Sequence, residues 1–242
     1  EICKIYEHLG SYDKSLEITE NGISLSEKAL GNSNSIYSDF IQQRGGLFEE
    51  KGWYDKALEQ YNLALAIELD YFGNEHPYIS GSYARIGSIW ETKGNYDKAL
   101  EYFEHALTII VQYYGESHPN VGFSLNRIGD IWDTKGDYEK ALEYFERNMA
   151  INLQYYGESH PNVASSLSRI GDIWNTKGDY DKALEYFDRG MAINLQYYGE
   201  SHPNVGNSLN RIGGIWETKG DYDKALEYFE RNMAINLQYY GE

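Results

Sequence analysis

The chain has 242 residues, of which 41% are hydrophobic and 15% aromatic, and its formal net charge is -17. This composition is too apolar for a disordered protein, and the acidic surplus argues against nucleic acid and anionic membranes, which are bound largely through their phosphates. Cys3 is the single cysteine, so an internal disulfide framework is excluded and we expect a reducing, cytoplasmic location. No stretch reaches the roughly 18 apolar residues of a membrane span.

A segment of 42 residues is repeated along the chain. The sequence His118–Glu158 returns at His202–Glu242 with only four changes, and more altered copies begin at His160, His76 and Asn34. A fixed period between about 20 and 50 residues is the signature of a stacked array of supersecondary units. Such an array buries apolar faces between neighbouring units and has no single central core.

We therefore expect an all-α protein, an α-solenoid of antiparallel helix pairs with five full repeats after an N-terminal half repeat. The expected boundaries are 1–33 for the partial repeat and then 34–75, 76–117, 118–159, 160–201 and 202–242, in one continuous solenoid domain. In the half repeat, Gly10 and Tyr12 correspond to Gly52 and Tyr54. Gly22 is expected to weaken the second helix of that half repeat, because glycine is about 1 kcal/mol less favourable than alanine in a helix.

The third repeat shows how one unit is built. Pro119 is expected to open a first helix, since its ring fixes φ. Gly136 then closes this helix and Asp137 caps the next, which runs from Tyr138 to about Tyr155 before Gly157 breaks it. Apolar residues at helical spacing predict the buried stripes of the two helices. They are Val121, Leu125, Ile128, Ile131 and Trp132 in the first helix, and Ala141, Leu142, Phe145, Met149 and Leu153 in the second.

The last repeat ends with apolar residues that no following helix covers. They are Tyr228, Phe229, Met233 and Leu237. We therefore expect the sequence to be a piece of a longer protein, in which more repeats or a polar capping helix follow. The alternative is end-to-end self-association through this terminus.

A known family matches this pattern of small and aromatic residues. The run Leu125, Ile128-Gly129, Trp132, Gly136, Tyr138, Ala141 and Phe145 resembles the tetratricopeptide repeat, and the 42-residue period with Gly-Glu-Ser-His-Pro at 115–119 resembles its kinesin-light-chain type. The resemblance covers 34–242 and, weakly, 1–30. It implies a right-handed superhelix whose first helices line a concave groove for extended or helical peptides. It also implies alanine where this chain has Asn148, Gly190 and Asn232, and a buried asparagine there needs a hydrogen-bond partner.

Candidate ligand-binding residues lie on the first helices, opposite their buried stripe. They are Arg85, Phe123, Asn126, Arg127, Asp130, Arg169, Asp172, Asn207, Asn210 and Arg211. An arginine recurs at one repeat position, and its planar fork of donors suits carboxylates, so we expect a protein or peptide ligand that is partly acidic. Asn126 and Asn210 are assigned to the peptide backbone and Phe123 to an apolar anchor. Three of the four changes between the closest repeats fall on this face, whereas positions expected to be exposed on the second helix, such as Asn152, are unchanged.

Other interpretations remain open at this stage. Asp130 and Asp172 are three residues after Arg127 and Arg169, so these arginines could pair within their own helices, which leaves Arg85 and Arg211 as the freer ones. The array could also be a structural spacer or a self-assembly module without a groove ligand. We predict no enzyme, because copies of one residue along a solenoid do not converge on one point. We predict no cofactor and no metal, because the histidines before proline each belong to a different repeat. RNA is the weakest candidate ligand at this net charge.

Overall fold

Eleven α-helices and no strand make up the part of the chain that the computed structural model describes, residues 11–241. Cys3, Gly10 and Glu242 lie outside the described residues. The helices are α1 Tyr12–Leu30, α2 Ser35–Glu50, α3 Tyr54–Phe72, α4 Tyr78–Thr92, α5 Tyr96–Tyr114, α6 Val121–Thr134, α7 Tyr138–Tyr156, α8 Pro161–Thr176, α9 Tyr180–Tyr198, α10 Pro203–Thr218 and α11 Tyr222–Tyr240. The predicted all-α fold of helix pairs is confirmed.

The helices form two compact units, one ending at Glu116 and the other beginning at Ser117. In the first unit, α1 packs on α2, and the pairs α2–α3 and α4–α5 follow. In the second unit, the pairs are α6–α7, α8–α9 and α10–α11. Within each unit the second helix of one repeat packs on the first helix of the next repeat, so each unit is a stack of repeats.

The turns follow the local chemistry that the sequence predicts. Gly136 has φ 78°, a left-handed conformation that glycine adopts without strain. Asp137 caps α7, because its carboxylate accepts a hydrogen bond from the backbone N–H of Lys140 at 3.2 Å. The helix ends at Tyr156, before Gly157. The expected opening at Pro119 is two residues early, since α6 begins at Val121, whereas the prolines of the next two repeats do begin α8 and α10.

The buried stripe of the second helices differs from the prediction. In α7, Ala141, Leu142 and Phe145 are buried as expected. Met149 and Leu153 are only half-buried, and the buried positions in their part of the helix are held by Asn148, Ile151 and Asn152. Two asparagines are therefore buried on this helix, and Asn152, which was expected to be exposed, is 8% exposed.

The tryptophans lie at the rim of the core and not in its centre. Trp132 and Trp174 are half-buried against the cluster of Ala141, Phe145 and Ile170. The Lys140 ammonium lies 3.7 Å from the ring centroid of Trp132, and Lys182 lies 3.9 Å from that of Trp174. Trp132 therefore packs against the core as its place on the predicted stripe requires, but it is only half-buried, and a lysine of the following helix covers its outer face by a cation–π contact.

Gly22 is required for the packing of α1 on α2 and does not interrupt the helix. The helix continues unbroken through this residue. A Cβ atom built on Gly22 would lie 2.3 Å from Cε1 of Phe40 on α2. The ring of Phe40 therefore uses the space that the missing side chain leaves, and the close approach of the two helices depends on this glycine.

The outer face of α11 exposes large apolar side chains. Their exposed fractions are 66% for Tyr222, 57% for Leu226, 58% for Met233, 52% for Leu237 and 71% for Tyr240. At the equivalent positions of α9, Leu184, Met191 and Leu195 are half-buried where α10 packs on that helix. The expected uncovered face is therefore present in the structure, although Tyr228 and Phe229 are half-buried within it.

Candidate functional site

The predicted groove residues fall into two classes of exposure. Phe123 is 58% exposed, and Arg85, Asn207, Asn210 and Arg211 are also exposed. The half-buried members are Asn126, Arg127, Asp130, Arg169 and Asp172. The first class is open to solvent, whereas the second is partly covered by neighbouring side chains.

An arginine–aspartate ladder connects the repeats of the second unit. Arg169 on α8 donates a hydrogen bond from Nη1 to Oδ1 of Asp130 on α6. Arg211 on α10 donates from Nε and Nη2 to the two carboxylate oxygens of Asp172 on α8, at 3.0 Å each. Each aspartate therefore pairs with the arginine of the following repeat, 39 residues further along the chain.

This pairing corrects two expectations. Arg169 pairs with Asp130 and not with Asp172 in its own helix, and Arg211 is not free. Only the pair expected within α6 is present, with Arg127 Nη1 at 4.0 Å from Asp130 Oδ2. The stacking of repeats places each guanidinium beside the first helix of the preceding repeat. A bidentate ion pair can form there, and it is stronger than an i,i+3 ion pair.

Burial and charge act in opposite directions on the ladder. Burial raises the pKa of Asp130, and this effect is only partly offset by the attraction of Arg169 and Arg127. The hydrogen bonds that Arg211 donates to the Asp172 carboxylate raise the pKa of Arg211 above its ordinary value. The arginines remain charged, and their charge is locally neutralised by the aspartates.

Asn126 is held by the protein itself, contrary to its assignment to a peptide backbone. Asn148 donates to Asn126 Oδ1 at 2.9 Å. Asn152 donates to Oδ1 of Asn148 at 3.4 Å and to Oγ of Ser166 on α8 at 3.0 Å. This chain of amides supplies the partner that a buried asparagine at 148 requires. In the last repeat, Asn236 donates to Asn232 Oδ1 at 3.1 Å, while Asn210 stays exposed.

A polar cleft lies between successive first helices in each unit. In the second unit, a cleft of about 350 Å³ lies between α8 and α10 and is closed at its base by Asn194 of α9. Its lining includes Ser165, Ser168, Asn204 and Asn207 beside the Arg211–Asp172 pair. Hydroxyl and amide groups next to an ion pair offer both donors and acceptors, as an extended peptide backbone requires.

The cleft of the first unit has a different electrostatic character. It measures about 670 Å³, lies between α2 and α4, and contains Arg85. The position that carries the aspartate partner in the second unit is Gly46 here, so Arg85 has no carboxylate within ion-pair distance among the described residues. Its guanidinium carbon lies 5.9 Å from the ring centroid of Tyr61. Arg85 is therefore the groove arginine without an ion pair in the described part of the chain, and Asp39 and Glu50 are the acidic residues that line its cleft.

A buried carboxylate beneath this cleft was not predicted. Glu68 on α3 is fully buried and accepts hydrogen bonds from Ser38 Oγ and Ser82 Oγ, both at 2.5 Å, and from the Gln42 amide. Gln42 and Ser82 also line the cleft. The sequence signal was a glutamate at a repeat position where the later copies have Ile110 and Asn152. Because Asn152 was expected to be exposed, the sequence did not indicate that a glutamate at this position would be buried.

The histidines before proline are helix caps, in agreement with their structural interpretation. His160 Nδ1 accepts a hydrogen bond from the backbone N–H of Asn162 at 3.1 Å, and His202 does the same with Asn204. The His160 ring stacks on Tyr156 with centroids 4.3 Å apart. Each imidazole therefore uses one nitrogen to begin a helix and its ring face to pack on the repeat before it.

Comparisons with known proteins agree with this architecture. The sequence profile described as Tetratricopeptide repeat matches residues 78–147, 134–193 and 175–238. Among solved structures, the chain is similar to BtubC (BKLC) from P. vanneervenii, with a TM-score of 0.80 and 21% identity over 96% of this chain and 93% of that one. It is also similar to a putative kinesin light chain of nearly identical repeats from Podosopora anserina, with a TM-score of 0.71 and 20% identity over 84% of this chain and 95% of that one. At these identities the likeness shows the fold alone.

A further similar structure extends well beyond this chain. The apo form of RapI has a TM-score of 0.74 and 17% identity over 98% of this chain, which spans only 62% of that protein. No curated protein matches the sequence. None of the described helices is long and apolar enough to cross a membrane.

Proposed function

The chain belongs to the tetratricopeptide repeat family, and from this premise we propose that the clefts between its first helices bind a peptide segment of a partner protein. Repeats of this family commonly mediate protein–protein interaction. The peptide, its position and its charge are our proposal. The array acts as a scaffold in this proposal, without catalysis.

One observation carries the proposal. Both clefts are lined by side chains that can donate and accept hydrogen bonds, and in the first unit an exposed arginine has no acidic partner in the described chain. A carboxylate of the peptide would form an ion pair with Arg85, since guanidinium and carboxylate form paired hydrogen bonds. The ladder changes the expected role of the other arginines. Arg169 and Arg211 already bind Asp130 and Asp172, so we assign the cleft of the second unit to backbone and polar groups of the peptide.

Panning of random 12-residue peptides against the full chain tests this function. We expect enriched peptides to contain acidic residues and to lose about tenfold or more in affinity for Arg85→Glu, because a carboxylate would then face a carboxylate. Arg147→Glu is the matched control, since Arg147 is exposed on the second helix α7 and lies outside both clefts. Peptides that bind both variants and the parent equally, or a failure to enrich any peptide, would contradict the proposal.

A second function is favoured by the outer face of α11. The exposed Leu226, Met233 and Leu237 form an apolar surface that in the preceding repeat is covered by another helix. We propose a second copy of the chain as its partner, because one self-complementary helix face is enough for a two-fold symmetric dimer. Light scattering should show a dimer that becomes a monomer in Met233→Glu with Leu237→Lys. The exposed pair Glu143→Lys and Arg147→Glu on α7 should leave the mass unchanged, and a monomeric parent chain would exclude this assembly.

A further inference from the structure

An exposed tyrosine occupies the same position in every full repeat. It is the second-last residue of the second helix in each case. The exposed fractions are 54% for Tyr71, 58% for Tyr113, 60% for Tyr155, 56% for Tyr197 and 56% for Tyr239. Tyr71 is present even in the most diverged repeat, 34–75, where much of the second helix differs from the other copies. The ring is therefore retained at a position where packing leaves more than half of it in solvent.

Neighbouring rings hold these tyrosines in place. In the second unit, Tyr155 meets Tyr156 edge to face at 4.8 Å and 75°. Tyr156 stacks on His160 at 4.3 Å and 17°, and the His160 ring contacts Tyr197 at 5.8 Å and 65°. The contacts repeat from Tyr197 to His202 and Tyr239. The tyrosine at the second-last position is thus oriented by its neighbours, so that a ligand would find the ring already ordered.

The same arrangement is present in the first unit. Tyr71 meets Phe72 edge to face at 4.8 Å, Phe72 stacks on His76 at 4.5 Å, and His76 contacts Tyr113 at 6.4 Å. The last residue of this helix is phenylalanine and not tyrosine, and its stacking on histidine is unchanged. The second-last residue is thus still a tyrosine where the last residue has lost its hydroxyl.

Two sources of negative potential meet at each exposed ring, and a third is added in three of the repeats. The first is the ring face itself, which carries the negative part of the aromatic quadrupole. The second is the carboxyl end of the helix dipole, and the last turns of α3, α5, α7, α9 and α11 contain no basic residue that would compensate it. The third is an exposed carboxylate three residues beyond the tyrosine in three of the repeats. These carboxylates are Glu116, Glu158 and Glu200.

We propose that the tyrosine edge of each unit, defined by Tyr155, Tyr197 and Tyr239 in the second unit and by Tyr71 and Tyr113 in the first, binds a basic segment of a partner protein. Arginine or lysine side chains of that segment lie on the exposed tyrosine faces and pair with the adjacent glutamates. A guanidinium or ammonium group gains from these potentials together, and the formal charge of -17 attracts such a segment from a distance. The tyrosine edge lies on the last turns of the second helices, so it is separate from the clefts between the first helices and does not depend on their function.

Titration of the full chain with a fluorescein-labelled octa-arginine peptide in about 0.15 M salt tests the tyrosine edge. Tyr155→Leu with Tyr197→Leu should weaken binding about five- to thirtyfold, which corresponds to two lost cation–π contacts. Tyr155→Phe with Tyr197→Phe keeps both ring faces and should stay within about twofold of the parent. Both tyrosines are largely exposed, so circular dichroism should show the same helix content in all three proteins.

A charge-matched pair of variants separates local recognition from general attraction to an acidic protein. Glu158→Gln with Glu200→Gln should weaken octa-arginine binding, whereas Glu143→Gln with Glu185→Gln, exposed acids earlier in α7 and α9, should leave it within about twofold. Arg85→Glu should not weaken it, which keeps this result independent of the clefts. Equal affinities of the leucine and phenylalanine variants, equal losses in both glutamine variants, or no binding to the parent chain would each overturn the proposal.

Discussion

Phe187→Ala is expected to lower the free energy of unfolding of the second unit by about 3–5 kcal/mol. The side chain is 2% exposed and packs with Ala183, Ile212 and Ile215 in the interface between the second and last helix pairs of the unit. A Cβ atom on Gly171 would lie 2.6 Å from the ring, so the ring also fills the space above that glycine. Truncation leaves a cavity that neither helix can close without moving the other.

Phe229→Ala is the matched control for this prediction. Phe229 has the same position one repeat later and the same contact with a glycine, since a Cβ atom on Gly213 would lie 2.7 Å from its ring. It is only half-buried, however, because no helix packs on the outer side of α11. We expect a loss of about 1–2 kcal/mol, since less apolar area returns to water. Urea unfolding followed by circular dichroism measures both values. Equal losses would show that packing against the next repeat contributes little to the free energy of unfolding that Phe187 provides.

The fold could be predicted because its determinants are local. Gly136 must adopt a left-handed conformation, Asp137 must cap a helix, and the 42-residue period assigns the same requirement to every repeat. These constraints act within about five residues and can be recognised without knowledge of the neighbouring helices. Helix boundaries within the repeats were therefore predicted closely, apart from the opening at Pro119.

The candidate site could be predicted only as a face of the first helices. A helical pattern shows which residues share a face, but it does not show how one helix is rotated and shifted on the next. The partner of Arg211 lies 39 residues earlier and not three or four, so the ion pair could not be derived from spacing within a helix. Asn152 was misplaced for the same reason, since its burial follows from its contact with Ser166 of the next repeat.

The ladder gives the two clefts different requirements for a ligand. In the second unit, Asp130 and Asp172 neutralise Arg169 and Arg211, and an acidic peptide would have to displace them. In the first unit, Gly46 replaces the aspartate, so a carboxylate can reach Arg85 without competition from that position. The residue at one position of the first helix therefore decides whether the groove arginine of the following repeat is ion-paired.

Glu68→Ala is the second substitution for which we expect a large effect, about 2–4 kcal/mol in the free energy of unfolding of the first unit. The carboxylate accepts hydrogen bonds from Ser38, Gln42 and Ser82, so its removal takes an acceptor from each of these donors, two of which are buried serines. Gln42, which lines the cleft beside Arg85, then keeps only its hydrogen bond to Ser82 Oγ at 2.9 Å. Peptides selected on the cleft should therefore bind less tightly to this variant even under conditions in which it is fully folded.

Two control variants distinguish this network from simple loss of packing. Asn194→Ala changes the equivalent residue of the fourth full repeat, which is 7% exposed and makes one hydrogen bond of 3.4 Å to Ser208, so a loss of about 1 kcal/mol is expected. Glu68→Leu combined with Ser38→Ala, Gln42→Leu and Ser82→Ala removes the donors together with their acceptor, and should recover most of the stability that Glu68→Ala loses. Chemical denaturation of the three proteins measures these differences. The fourfold variant could instead prove no more stable than Glu68→Ala. The loss would then come from the missing packing of the glutamate and not from donors left without an acceptor, and the position of Gln42 in the cleft would need another explanation.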